Sequence, residues 1–208
     1  MIEKELNRKE RERLFKKQEI LDASIKIFAQ KGFKATTLDE IAKKSEFGKG
    51  TIYNYFSSKE EIYKEIIMNV LDTQKNSIVE VYNSTETLYD LVYQTTKNDL
   101  AFCLKNKDAF FLLVFTKMHH EKSTTSEISN LMDCGEKEIM GLIIDRTETA
   151  IKNKEIRNLT SDKIIRLFKT SGFSYIYDLL IHGNLTEESI DDETKFITDI
   201  LFNGISIK

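Results

Sequence analysis

Along most of the 208 residues apolar side chains recur at steps of three and four, the period of a helix that buries one face. Leu14, Leu21, Ile25 and Phe28 share such a face, with Ile20 and Ile27 beside it, and predict a first helix near 10–31. Gly32 stands where a left-handed residue would stop that helix, and Phe33 follows as its apolar contact. Thr37-Leu-Asp-Glu40 has the spacing of a capping box and opens a short helix to about Lys44. Another short helix runs from about Lys49 to Phe56. Ser58-Lys-Glu-Glu61 is a further capping box, and it starts a long helix carrying Tyr63, Ile67, Val70, Gln74 and Ile78 on one face.

Five more helical stretches follow. Those near 86–104 and 108–121 are apolar and aromatic. Thr124-Thr-Ser-Glu127 caps a helix striped by Ile128, Leu131, Met132, Ile139, Leu142 and Ile143. A helix near 161–182 carries Ile164, Phe168, Tyr175 and Leu179, with Gly183 as its stop and His182 as a capping residue. The last, about 187–203, shows Ile190, Thr194, Ile197 and Leu201 at heptad-like spacing. The pattern gives about nine helices, no strand and no repeat of solenoid length. The fold class is all-α.

Composition strengthens this. The chain has no proline and only 8 glycines, too few breakers for the many turns of a sandwich, barrel or parallel α/β fold. Hydrophobic residues are 40%, charged residues 31% and mean hydropathy is −0.37, as in globular proteins. No apolar run approaches a membrane span. The first residues are charged throughout, without the apolar stretch of a secretory signal. Two cysteines, Cys103 and Cys134, are too few for a disulfide framework and read as buried apolar fillers. The cytoplasm is the expected compartment.

Charge divides the chain. Residues 1–60 hold 14 Lys or Arg against 10 Asp or Glu; residues 61–208 hold 17 against 24. A basic head on an acidic body suits a nucleic-acid-binding head, though ordinary fluctuation gives the same numbers. The two short helices sharpen the choice. Leu38, Ile41 and Ala42 on one need Ile52 and Phe56 on the other, and the flanking long helices complete that small core. This is helix-turn-helix geometry, about 37–56, with the second helix held out toward a major groove. Lys49, Thr51, Tyr53, Asn54 and Tyr55 are left facing outward or sideways. Asn54 suits an adenine edge and Lys49 guanine acceptors. Gly50 lets the backbone approach DNA. Thr36 or Thr37, at a helix N-terminus, offers a hydroxyl to a phosphate, and Lys59 could clamp another. The run Arg8-Lys9-Arg11-Arg13-Lys16-Lys17 could reach a minor groove, but interleaved glutamates also fit a solvated helical extension.

Residues 16–67 resemble the N-terminal domain of the tetracycline-repressor (TetR) family of bacterial transcription regulators. The resemblance rests on Ile20-Leu-Asp-Ala-Ser-Ile-Lys-Ile-Phe-Ala-Gln-Lys-Gly-Phe, Thr36-Thr-Leu-Asp-Glu-Ile-Ala, Lys49-Gly-Thr-Ile-Tyr-Asn-Tyr-Phe and Ser58-Lys-Glu-Glu-Ile, in that order. The family's turn usually reads Ala-Gly-Val-Ser; here it reads Ser45-Glu-Phe-Gly48. Glu46 therefore stands where glycine normally eases a positive φ, and Gly48 where a serine normally caps.

The resemblance implies a head over 1–60 and a ligand-binding and dimerisation body over 61–208. It implies a homodimer joined through the last two long helices, with Phe168, Ser171, Gly172, Tyr175, Ile190, Ile197 and Leu201 as candidate interface residues. Tyr89, Tyr93, Phe102, Phe110, Phe111, Phe115, Met118 and His119 are candidates for an effector pocket, or simply core. His119 and His120, adjacent on a helix, diverge too far to hold one metal ion. No catalytic or cofactor motif is present, so neither a catalytic residue nor a cofactor is expected. The expected partners are double-stranded operator DNA, a second copy of the chain and an unidentified small-molecule effector, with no membrane. The expected function is a repressor released from its operator; the alternative is a helical small-molecule-binding protein or enzyme with a vestigial head.

Overall fold

In the computed structural model, which describes residues 7–118 and 126–204, the described residues form nine helices and no strand. They are α1 (Arg8–Ala35), α2 (Leu38–Lys44), α3 (Lys49–Tyr53), α4 (Lys59–Ser84), α5 (Leu88–Lys105), α6 (Lys107–Met118), α7 (Ser126–Lys152), α8 (Ser161–Ile181) and α9 (Ile190–Asn203). The capping Thr124, His119, His120 and the side chain of Met118 lie outside the described residues.

The chain packs as two compact units. One takes the residues up to Val70 together with Asp108–Ser129. Its core joins Ile20 and Phe28 of α1, Ile41 of α2, Ile52 of α3, Phe56 of the turn that follows, Ile62 and Ile67 of α4, and Phe110 and Leu112 of α6. Tyr63 lies edge-on to Phe28 and Phe33, at 4.9 Å between ring centroids in each case. Its buried hydroxyl sits 2.5 Å from that of Thr116. Gly32 does interrupt α1: its φ of 77° breaks the helical run before a last turn to Ala35. Leu14, in line with the buried stripe, extends past the core and is exposed.

The other unit takes Leu71–Lys107 and the residues from Asn130 on. Here α9 lies along α5, and Thr194 and Thr198 are buried with their hydroxyls donating to the carbonyls of Ile190 and Thr194. Small β-branched residues facing inward let the two backbones approach closely. Arg146 of α7 donates to the carbonyls of Tyr82 (2.9 Å) and Thr85 (2.8 Å), satisfying the open end of α4. Cys103 is buried, as expected, and burial pushes its thiol up. Cys134 is not a filler: α7 turns it to the exterior.

Candidate nucleic-acid interface

The interface region is built from three helix beginnings and two tight stops. At the start of α2, Thr37 Oγ1 accepts from the Glu40 backbone N–H (3.3 Å) and Glu40 Oε2 accepts from the Thr37 N–H (3.1 Å). That is the capping box read from the sequence. The Lys31 ammonium, then the Thr37 N–H, hold the Glu40 carboxyl below its ordinary range. At the end of α2 the chain reverses by a Schellman turn: Phe47 N–H donates to Ala42 O (3.1 Å) and Glu46 N–H to Lys43 O (3.4 Å). Such a turn needs a left-handed residue, and Glu46 occupies that position with φ 58°. Gly48 then begins α3 with no side-chain cap.

α3 is five residues long and buries only Ile52; Phe56 is buried just beyond it. The sequence pattern carries this helix to Phe56, but Tyr55 and Phe56 instead bond back to Ile52 O in a turn. With so little inward surface, α3 presents the rest of its side chains. Gly50 and Asn54 are exposed, Tyr53 is 51% exposed, and Thr51 and Tyr55 are half-buried. The Asn54 amide has no hydrogen-bond partner among the described residues. Lys49 is exposed but paired: its Nζ sits 2.6 Å from Asp39 Oδ1, which raises the ammonium above its usual value. Nothing in the sequence pattern singles out Asp39. Its place on α2, opposite the start of α3, is a tertiary fact that spacing does not reveal.

Two expectations change. Of Thr36 and Thr37, only Thr37 faces outward. Thr36 is 1% exposed and its hydroxyl donates to Gly32 O at 2.8 Å, closing the broken end of α1. Lys59 is not a free cation. Its Nζ donates to the carbonyls of Phe33 (2.9 Å), Lys34 (3.3 Å) and Thr36 (2.9 Å) and lies 4.7 Å from the Phe33 ring centroid. All three ammonium protons are engaged in fastening the first turn of α4 to the end of α1. A cleft of about 350 Å³ opens here, lined by Thr37, Leu38, Asp39, Lys49 and Ser57–Glu60. The second capping box is shifted as well: Ser58 caps Glu61 N–H (3.2 Å), while Glu61 reaches back to Ser57.

The candidate pocket residues are divided between the two units. Tyr89 and Tyr93 stack at 6.2 Å and Tyr89 meets Phe202 at 5.2 Å, and these belong with Phe102 to the unit of α5 and α9. Phe110, Phe111 and Phe115 belong to the unit of α1–α3. His182 does cap α8. No metal-ligating cluster occurs among the described residues.

The candidate dimer residues differ in exposure within the single chain. Phe168 and Leu201 pack inward on Leu88, Val92 and Ala150. Gly172, Tyr175, Ile190 and Ile197 are half-buried, and Ser171 is exposed. The apolar side chains left outside on α8 and α9 are Leu167 at 70%, Tyr177, Ile181, Phe196 at 51% and Ile200.

The sequence profile of "Bacterial regulatory proteins, tetR family" matches residues 20–66, the stretch from the core of α1 into α4. A relative in Bacillus subtilis, the HTH-type transcriptional regulator YhgD of uncharacterised role, is 29% identical over 74% of this chain and 80% of its own length. The chain carries a TetR-family DNA-binding domain over residues 20–66. It is a helix-turn-helix, DNA-binding transcriptional regulator. The TetR-family likeness extends to IcaR of Staphylococcus aureus, a negative regulator of the biofilm operon icaADBC. That protein is 36% identical over 38% of this chain and 42% of its own. Among solved structures, a Clostridium perfringens protein described as a candidate fatty acid metabolism regulator is 25% identical. It superposes with a TM-score of 0.77 over 91% of this chain and 100% of its own. FadR of B. subtilis, solved with stearoyl-CoA, shares the fold at 15% identity, with a TM-score of 0.73 over 91% of this chain and 99% of its own.

Proposed function

We propose that this chain is a homodimeric, TetR-family operator-binding repressor, with a reading head in residues 1–60 and a sensing and dimerising body in 61–208, released from DNA by a small molecule. The observation that carries the reading is α3 itself: one buried side chain, with Tyr53 and Asn54 outward. An unpaired carboxamide beside a tyrosine on an outward helix has the donors and acceptors that a major-groove edge requires. Thr37, Lys49, Gly50, Thr51 and Tyr55 surround it and supply backbone contacts, Lys49 exchanging Asp39 for the duplex. Lys59 and Thr36 act indirectly, by fixing the α1–α2 turn and the start of α4.

Dimerisation uses the outward face of α8 and α9, with Leu167, Ile181, Phe196 and Ile200 as its apolar residues and Ser171 beside them. Four exposed apolar side chains, on two helices that meet through Tyr175 and Phe196, supply the area such a contact buries. A twofold dimer then offers two copies of α3 to successive major grooves, about 34–36 Å apart. The effector we propose is a long-chain acyl-CoA, on the strength of the fatty acid regulator and the stearoyl-CoA-bound FadR among its relatives. It acts by binding the DNA-free state more tightly. The chain acts in the cytoplasm and carries out no catalysis.

The test uses the full chain and duplex DNA from upstream of its own gene. Specific binding should fall steeply with salt and should be reversed by stearoyl-CoA, not by CoA or stearate alone. Asn54→Ala should reduce the preference for operator over random DNA by about 5- to 150-fold, the value of one bidentate base contact. Equal binding to operator and random DNA by the unaltered protein would overturn the reading. Reversal by no acyl-CoA would overturn the effector alone.

A further inference from the structure

Helix α1 starts at Arg8, well before the family profile's match begins at 20, and every residue from 7 to 16 is exposed. The segment is fully helical and firmly begun: Asn7 and Glu10 form a capping box. It joins the head at Lys17, whose Nζ lies 2.6 Å from Glu65 Oε1 and 5.4 Å from the centroid of the Phe56 ring. Phe56 is two residues beyond Asn54, so the extension takes root beside the C-terminal end of the reading helix.

Its charge is lopsided. Residues 8–17 hold six Lys or Arg and two Glu. Both glutamates are engaged within the helix, Glu10 with the Asn7 N–H (2.8 Å) and Glu12 with Arg8 (2.9 Å). Lys9, Arg11, Arg13 and Lys16 have no carboxylate partner among the described residues. Lys9, Arg13 and Lys16 recur at steps of four and three and share one face. Among the described residues those two contacts take up both glutamates of 8–17, and four cations remain. An anionic bilayer fits less well than DNA. Leu14 and Phe15 are the segment's exposed apolar residues, adjacent and so about 100° apart, which is too little for an interfacial helix's apolar face.

We propose that this α1 extension is a second DNA-contacting surface, in which the face of Lys9, Arg13 and Lys16 meets the phosphates flanking the sequence read by α3. The inference rests on the operator-binding reading above. Ten helical residues span about 15 Å, roughly four base pairs of duplex at ~3.4 Å each. The contact adds affinity and footprint length, not sequence preference, because phosphates carry no base identity.

The decisive comparison is the full chain against a variant with Lys9→Gln, Arg13→Gln and Lys16→Gln together. All three side chains are exposed, so folding should be unchanged by circular dichroism. With one or two phosphates per protomer no longer neutralised, the slope of log K against log salt should flatten by about 2–4. Nuclease protection should shorten at both flanks while the operator-to-random ratio stays. A variant with Lys9→Arg, Arg13→Lys and Lys16→Arg should keep the original slope. If the unaltered protein binds its operator and the glutamine variant shows the same slope and the same protection, the proposal is wrong and the operator reading stands. If the glutamine variant instead loses only its binding to phosphatidylglycerol vesicles, the partner is a membrane and the proposal is equally wrong. If the unaltered protein binds no operator, both readings fail.

Discussion

The head and the end of the body solve opposite problems with the same element. In the head, α3 has only Ile52 to bury and leaves polar side chains outside. In α8 and α9, long helices bury Ile165, Ile176, Leu179, Leu180 and two threonines, yet still leave Leu167, Ile181, Phe196 and Ile200 outside. A polar outward face on a short helix is matched to a charged duplex whose water is displaced contact by contact. An apolar outward face on long helices would suit the second copy proposed above, where burying area itself is favourable. In both regions the informative residues are those the monomer core does not account for.

The largest effect should come from breaking the apolar side of this contrast. Leu167→Asp combined with Phe196→Asp places charges in the proposed dimer contact while leaving the monomer core untouched. Analytical ultracentrifugation should show monomers with unchanged helicity. Operator affinity should fall by about 100-fold or more, because two linked half-site contacts exceed either alone by that order. A variant that remains dimeric would place the contact elsewhere on the body.

Legibility differed between these regions for a physical reason. In the head, the capping box at Thr37, the serine cap at Ser58 and the break at Gly32 place the helices to within a few residues, and a helix of five to seven residues has one or two inward positions. Little freedom remains, so Ile41, Ile52 and Phe56 could be placed inside and Tyr53 and Asn54 outside from spacing alone. The helices near the C-terminus are apolar on more than one side. Periodicity then marks a buried stripe without saying whether its cover is α5 or another subunit. Leu201 packs on Leu88, Val92 and Ala150, Ile190 and Ile197 are half-buried, and Phe196 and Ile200 lie one step round and exposed. Lys59 was illegible for a different cause: its acceptors lie 23 to 26 residues earlier in the chain.

Lys59 therefore offers the next sharpest cut on the polar side. With three carbonyls and a ring around its ammonium, Lys59→Ala should cost the protein about 1–3 kcal/mol of stability, the range for a hydrogen bond to a charged group. Calorimetry would show a lowered Tm. The slope of operator binding against salt, measured well below that Tm, should stay as in the unaltered chain. An unchanged Tm with a flattened slope would restore Lys59 to the phosphates.

A third effect belongs to the body's interior. Burial raises the Asp99 carboxyl on α5 to about 7, with Lys169 pulling the other way. The unfolded chain releases this proton near 3.8, so between those values the folded state holds a proton that the unfolded state has lost. Stability from this group is thus full at low pH and declines as pH rises toward 7. Asp99→Asn should be near neutral at pH 4 and stabilising by about 1–2 kcal/mol at pH 8, a range that allows for solvent reaching a half-buried group. Urea unfolding at the two pH values checks it. An equal effect at both would mean the carboxylate is solvated when charged.

The smallest effect returns to the turn between α2 and α3. Glu46 carries φ 58° at the left-handed position of the Schellman turn, where a side chain costs about 1–2 kcal/mol relative to the right-handed region. Glycine removes that cost but adds about 0.5–1 kcal/mol of unfolded-chain entropy. Glu46→Gly should therefore stabilise the head by about 0.5 kcal/mol net. Glu46→Ala keeps the strain and removes only the charge, so it should leave the Tm nearly unchanged. DNA affinity should separate the two causes in the opposite way: both variants lose a negative charge beside α3, so both should tighten low-salt operator binding to the same extent. If alanine raises the Tm as much as glycine does, then electrostatics and not backbone conformation governs this turn.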